Sequence, residues 1–341
     1  MENVTRRHFF YHGNTEEQTP GVTEEKSNCH WCQIRAFPTH QQYPITIVND
    51  EDDATLPSNF RFLYHSVLGE GVEAAEHSFR SGCDCADDED CQYGHCLCLQ
   101  EQEEAAEDGG AGLDDVEGGR KKVYRYHMHG HKAGLLRSKF LDSRQPIYEC
   151  HDGCACSEAC PNRVVDRGRK VPLQIFRTQK TGWGVRSPVD IKKGQFVDKY
   201  VGEIITPREA QRRRDEAEVA ARKDVYMFAL DKFTDEASPD TRLRGDPLEV
   251  DGEFMSGPTR FINHSCGPNL RTFARVGDHA DKHIHDIAMF AIRDIPRGEE
   301  LTFDYVSGVH QDEDDGVDQE EKKQHMTKCF CGSKNCRGYL W

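Results

Sequence analysis

The chain has 341 residues and a net charge of −16, from 44 Lys and Arg against 60 Asp and Glu, and it carries 15 cysteines. That length allows one large domain or two to three smaller ones, and the acidic balance speaks against broad sequence-independent DNA binding, which runs on Lys and Arg neutralising phosphates. A basic partner is the electrostatically natural one. No apolar run approaches the roughly 18 residues of a membrane helix. The start, MENVTRRHFF, lacks the apolar stretch of a secretory signal. An intracellular chain keeps its thiols reduced, so densely clustered cysteines in odd number read as thiolate–metal sites rather than disulfides.

In chain order, residues 1–60 are mixed and polar, with Cys29 and Cys32 as a C-x-x-C pair. Cysteines crowd residues 81–98. The stretch from Gln100 to Gly119 is acidic, holds five glycines and has no Lys or Arg. It cannot bury a core and reads as a disordered insertion. A second cysteine cluster spans Cys150–Cys160. Beyond it, short apolar runs predict strands over Leu173–Phe176, Phe196–Val201, Val225–Leu230, Ile287–Ile292 and Leu301–Tyr305. One helix is well signalled: Thr206 fits the N-cap, Pro207 the first helical position and Glu209 the third, a capping box ahead of AQRRRDEAEVAARK. The arginines Arg212–Arg214 read as its solvated face. A second acidic loop, Gln311–Glu321, precedes a cysteine-rich tail. The class is mainly β with few helices, stapled by metal.

The cysteine count constrains the metal. Cys83, Cys85, Cys91, Cys96 and Cys98 form the first cluster, and Cys150, Cys154, Cys156 and Cys160 the second. Nine thiols suit neither one nor two tetrahedral zinc ions, which take four ligands each. Three ions fit if three of the nine sulfurs bridge two metals each, and close C-x-C pairs suit a shared cluster. Two separate four-cysteine sites with a spare thiol are the alternative. The tail offers Cys329, Cys331 and Cys336, and Cys266 is the cysteine left in the core to complete a fourth site. Cys29 and Cys32 read as free thiols.

Four motifs carry a family resemblance: GWGV at 182–185, YVGEIIT at 200–206, RFINHSCGPN at 260–269 and ELTFDY at 300–305. They resemble the signatures of SET-domain lysine methyltransferases. The nine-cysteine array resembles the pre-SET zinc cluster, and CFCGSKNCRGYLW at the end resembles the post-SET segment. The whole chain is similar to the histone H3 lysine-9 methyltransferases of filamentous fungi that lack a chromodomain. The resemblance divides it into an N-terminal region 1–80, a pre-SET zinc-cluster domain 81–168, a SET domain 171–306 and a post-SET segment 325–341.

That resemblance implies a SET fold in which RFINHSC threads beneath a C-terminal loop in a knot-like crossing. S-adenosylmethionine would bind on one face and a peptide on the other, added as a strand, with a narrow channel between them. By motif, Thr181, Gly182, Trp183, Tyr226, Arg260, Asn263, His264 and Phe330 match cofactor-binding positions. Tyr200, Phe228, Phe303, Tyr305 and Trp341 match the lysine channel, with Tyr305 as the main catalytic side chain, Tyr200 beside it, and Phe303 at the position that sets how many methyl groups are added. The implied activity is trimethylation of lysine 9 on the histone H3 tail of nucleosomes, in nuclear heterochromatin and gene silencing. Four zinc ions, no membrane and no strong direct nucleic-acid binding go with it. A methyltransferase for a non-histone basic protein, or a zinc-stapled chromatin-binding module without catalysis, are the other readings. His127, His129 and His131 read as a solvated loop, and Asp278, His279, His283 and His285 as structural.

Overall fold

The computed structural model describes residues 28–101, 116–117, 120–143, 145–219, 226–306 and 327–340. Most of the acidic stretch after Gln100, the acidic loop Gln311–Glu321 and Trp341 lie outside the described residues.

Three sheets carry the fold. The strands Ile147–Tyr148, Leu270–Val276, Asp286–Ala291 and Phe196–Tyr200 lie side by side in that order. A second sheet runs Met227–Ala229, Glu249–Asp251, Glu203–Ile205 and Val67–Leu68, and a third joins Ile45–Val48 to Leu173–Arg177 and Trp183–Arg186. The run at 287–292 reads as continuously apolar because both its faces are buried. Ile287, Met289 and Ala291 face one core, built around Ile45, Leu173, Val185 and Phe261. Ala288 and Phe290 face the other, with Tyr126, Phe196, Phe273 and the nine cysteines. One strand therefore ties the first core to the cysteine cluster.

Several elements differ from expectation. The run Leu301–Tyr305 contributes only Thr302–Phe303 as strand, paired in parallel with Asn263–His264. The polar N-terminal stretch supplies three strands: Ile45–Val48 pairs with Leu173–Phe176, Arg61–Phe62 with Met255–Ser256, and Val67–Leu68 with Glu203–Ile204. The helix forms over Pro207–Val219, and the Glu209 N–H donates to Thr206 Oγ1 at 3.3 Å. The reciprocal half of the capping box is replaced. The Glu209 carboxylate turns to Arg212 at 2.7 Å and Arg213 at 2.8 Å instead. Nor are the arginines simply a solvated face. Arg213 reaches Glu203 and Asp251, each at 2.7 Å, and Arg214 pairs with Glu249, so two of the three dock the helix on the sheet. The histidine-rich segment is structural as expected: Asp278 caps it through the Ala280 N–H, and His283 and His285 bond the Glu73 and Lys282 carbonyls.

The cysteine-rich half is fastened by a buried ion network. Glu149 is fully buried and accepts from the Tyr126 hydroxyl, from the Val164 and Val165 N–H groups at 3.0 and 2.9 Å, and from Arg275 at 3.1 Å. Arg275 also meets Asp166 at 3.1 Å and Asp286 at 3.2 Å. The Asp286 carboxyl, pushed up by burial, is held below its ordinary range by Lys199 and Arg275. Removing one partner of such a network leaves uncompensated buried charge. Arg275→Ala should cost about 3–5 kcal/mol in chemical unfolding at neutral pH with zinc present, and a loss under about 1 kcal/mol would show that the network carries little of the stability.

Candidate active site

Four aromatic rings assemble where the Phe196–Tyr200 and Met227–Ala229 strands meet the ELTFDY segment. Tyr200 and Phe228 lie edge to face at 4.5 Å between centroids, Phe228 and Phe303 at 5.7 Å, and Phe303 and Tyr305 at 4.7 Å. Tyr200 and Phe303 are buried. The Tyr200 hydroxyl donates to the Tyr226 carbonyl at 2.8 Å, and the Tyr305 hydroxyl to the Ile262 carbonyl at 2.6 Å. Both protons are thereby held on backbone oxygens, which leaves each phenolic oxygen as an acceptor. Burial also pushes the Tyr200 phenol well above its ordinary range, keeping it protonated. Gly252 makes room for this arrangement: a Cβ there would sit 2.4 Å from the Tyr200 hydroxyl.

Beside the rings lies a cavity of about 390 Å³, of a size that fits a small-molecule cofactor. Thr181, Asn263, His264 and Phe330 line it. The turn that presents Thr181 closes through Thr178, whose N–H donates to the Gly182 carbonyl at 2.7 Å, with Gly182 at φ 77°, a conformation suited to glycine. Trp183 follows, and its carbonyl is 3.1 Å from Asn263 Nδ2, which also reaches Glu300 at 2.7 Å. His264 belongs to both parts of the site. It lines the cavity, its ring lies 5.3 Å from that of Tyr305, and its Nδ1 accepts the Tyr305 N–H at 3.2 Å. Burial, aided by Arg337, holds the imidazole below its ordinary range against the pull of Asp304.

Tyr226 and Arg260 stand apart from the cavity lining. The Arg260 guanidinium stacks on the Tyr226 ring at 4.0 Å and on Phe60 at 5.1 Å, and it reaches the Gly252 and Glu253 carbonyls at 3.4 and 3.3 Å. It thus braces the backbone that receives the Tyr200 hydroxyl. Two contributors to the site had no signal in the sequence reading. Val48, Asp50 and Glu51 form a wall of the cavity, and the acidic run at 50–53 says nothing locally about where it docks. Arg337 clasps Asp304 through two bonds, at 2.9 and 2.6 Å. An arginine next to a tail cysteine and an aspartate inside ELTFDY were visible separately, but not as a pair.

The thiols gather in two places. Tetrahedral zinc with bonds of ~2.3 Å sets neighbouring sulfurs ~3.8 Å apart. Cys83 lies 3.8 Å from Cys91 and 4.0 Å from both Cys150 and Cys156, while Cys98 lies 3.4 Å from Cys154. The four-sulfur groupings that these distances allow overlap: Cys83 falls in three of them and Cys91, Cys96 and Cys150 in two each, so the sulfurs form one shared cluster. The tail set forms as well: Cys266, Cys329, Cys331 and Cys336 converge, with Cys266 3.9 Å from Cys329. Backbone N–H groups point at these sulfurs, from Arg337 to Cys266 at 3.4 Å and from Gly338 to Cys336 at 3.3 Å. Within the tail set burial pushes Cys266 and Cys329 up, while hydrogen bonding brings Cys331 down to about 6 against its own burial. Both sets fit zinc. Cys29 and Cys32 are half-buried at the start of the short helix His30–Arg35.

These features define a SET-domain protein, and the comparisons place it further. The chain matches the SET domain over residues 182–306 and the Pre-SET motif over residues 38–163. The H3 lysine-9 specific histone-lysine N-methyltransferases KMT1 of Fusarium mangiferae and dim-5 of Neurospora crassa are each 61% identical to it, over 100% of this chain and 99% and 100% of theirs. The solved structure of the Neurospora SET domain protein DIM-5, a histone lysine methyltransferase, matches with a TM-score of 0.70 at 59% identity, covering 85% of this chain and 100% of that one. Arabidopsis thaliana SUVH6 in complex with SAM matches with a TM-score of 0.64 at 27% identity, over 95% of this chain and 61% of that one. The chain belongs to the family of SET-domain histone-lysine N-methyltransferases.

Proposed function

We propose that this enzyme transfers methyl groups from S-adenosylmethionine to lysine 9 of the histone H3 tail, through to trimethyl-lysine, as a nuclear chromatin enzyme of heterochromatin silencing. The observation that carries the reading is the four-ring cluster opening beside the cavity, with His264 common to both. Full-length identity of 61% to two enzymes named as H3 lysine-9 specific supports the substrate. The strand Met227–Ala229 ends its sheet among the described residues and carries Phe228, so a peptide strand added there would present its side chains to the rings. A net charge of −16 favours a basic tail.

The cofactor supplies a methyl group on a sulfonium, and the chain does the rest. Lysine with a pKa near 10.4 is neutral in only about one molecule in 2500 at pH 7. The aromatic rings withdraw it from water and so disfavour the ammonium. The phenolic oxygens of Tyr200 and Tyr305, whose own protons are engaged on carbonyls, accept the amine N–H bonds and aim its lone pair. The amine proton leaves to solvent, and no dedicated base is needed. Turnover should therefore climb above neutral pH, and Tyr305→Phe should lower kcat by roughly ten- to a hundredfold with cofactor affinity retained. A rate flat between pH 7 and 9 would contradict the protonation argument.

Phe303 has no hydroxyl to hold a partly methylated amine in one orientation. We assign it the role of permitting the third transfer. Mass spectrometry of an H3 tail peptide should show trimethyl-lysine at long times, and Phe303→Tyr should shift product tenfold or more toward mono- and dimethyl forms, a change of ~1.4 kcal/mol or more in the later steps. Stalling of the wild type at monomethyl-lysine would refute this.

For the metal we assign three zinc ions to the nine cysteines and one to Cys266, Cys329, Cys331 and Cys336. Metal analysis should give close to four ions per chain. A chelator should remove the tail ion first, since three of its four ligands are half-exposed and it joins distant segments. A stoichiometry near two would overturn the bridged cluster.

A further inference from the structure

The ELTFDY segment leaves its ladder after Phe303, and Tyr305, whose phenol faces the amine in the reading above, comes two residues later. Between them stands Asp304, and its carboxylate is held from the side of the tail. Arg337 Nη2 donates to Oδ1 at 2.6 Å and Nη1 to Oδ2 at 2.9 Å, a fork that fixes direction as well as distance. Oδ1 also accepts the Val306 N–H at 3.2 Å, so the turn through Tyr305 closes onto the clasped group. The same carboxylate lies 3.6 Å from His264 Nδ1, the atom that accepts the Tyr305 N–H at 3.2 Å. Two acceptors so close repel, and the fork draws the carboxylate the other way, which leaves that nitrogen to Tyr305. Arg337 has its own footing on the core. Its N–H points at Cys266 Sγ at 3.4 Å, and it follows Cys336 of the same thiol set.

We propose that Arg337 is a positioning residue for methyl transfer, which by clasping Asp304 fixes the turn that carries Tyr305 and so keeps the Tyr305 hydroxyl where it can orient the amine. The inference rests on the role given to Tyr305 above. The chain of contacts is continuous: Arg337 holds Asp304, the next residue is Tyr305, and the Tyr305 hydroxyl sits on the Ile262 carbonyl at 2.6 Å with its ring 4.7 Å from that of Phe303. Arg337 is not on the lining of the cavity, and its side chain is committed to Asp304, so it reaches the reaction through Tyr305 and not by touching the cofactor. Bringing the tail to the core is a separate task, and Cys266 does it by gathering Cys329, Cys331 and Cys336. Phe330 and Cys331, the tail residues that do line the cavity, belong to that task. The two functions of the tail are therefore separable by mutation. An error of about 1 Å at an orienting group is enough to cost a large factor in rate.

The test measures kcat on a histone H3 tail peptide, S-adenosylmethionine affinity and zinc content, all on the full-length, zinc-loaded chain. Arg337→Ala should lower kcat roughly tenfold or more, with cofactor affinity within about threefold of the wild type and zinc content unchanged. In a Tyr305→Phe background the same substitution should cost less than about twofold, because groups that act as one unit do not add. An unchanged kcat, a fall in cofactor affinity that matches the fall in kcat, or equal losses in the two backgrounds overturns the proposal. If Arg337→Ala sheds zinc or unfolds, as Tm would reveal, Arg337→Lys decides in the same two backgrounds. It keeps the charge and gives up the fork, and its loss of kcat should vanish once the Tyr305 hydroxyl is gone. A loss that persists there, or no loss at all, overturns the proposal. A Tyr305→Phe enzyme with wild-type turnover refutes the earlier reading of Tyr305 and this inference with it, whereas a damaged Tyr305→Phe enzyme with equal Arg337→Ala losses refutes this inference alone.

Discussion

A parallel ladder only two residues long, Asn263–His264 against Thr302–Phe303, sets the geometry of everything around it. Alternate side chains of a strand point to opposite faces. Asn263 can therefore reach the turn at Thr181 and Glu300, while the His264 ring meets Tyr305. On the partner strand Thr302 lines the cavity and Phe303 joins the aromatic rings. Cys266 follows two residues later and recruits the tail thiols. A slip of one residue in this register would exchange the two faces and dismantle cavity, rings and metal set together. Flanking bonds guard against it: the Ser265 N–H donates to the Phe303 carbonyl at 3.0 Å and the Asn269 N–H to that of Thr302 at 3.2 Å.

Around this ladder the protein handles charge in two ways. Where charges are structural they are buried and saturated, as with Arg275 among Glu149, Asp166 and Asp286. At the aromatic rings the polar atoms are phenols whose protons are tied to backbone carbonyls. The second arrangement is costly for a cation and mild for a neutral amine. On the proposed function, the same chain would offer a basic peptide an acidic exterior and one of its lysines an aromatic interior that disfavours the charged form.

What the sequence disclosed follows the range of the interactions involved. The gathering of the cysteines into two sets was legible because thiolate–zinc sites draw their ligands together. The strand at 286–291 was legible because burial on both faces leaves an unbroken apolar run, and the helix because Thr206 and Pro207 mark its start locally. The residues of GWGV, RFINHSC and ELTFDY do come together, and Arg260 stacks on Tyr226 outside the cavity lining. Interactions between distant segments were invisible. Arg213 meets Asp251, 38 positions on, and the three N-terminal strands are two to four residues long and pair in parallel with segments far along the chain. No local propensity encodes such a partner.

The cavity draws its lining from residues 48–51, 176–186, 263–264, 300–302 and 330–331. A ribosome delivers these pieces in order, over a span of some 280 residues, and at ~5–20 residues per second the first wall waits tens of seconds for the last. Until residue 331 has left the exit tunnel there is no enclosed pocket. The early strand of the N-terminal segment, with Ile45 and Ile47 destined for Leu173 and Ile175, must wait 128 residues of synthesis for its partner (173 − 45). Vectorial synthesis thus makes closure of the cavity wait on residues far along the chain, and leaves the nascent chain's early edges unpaired in the meantime.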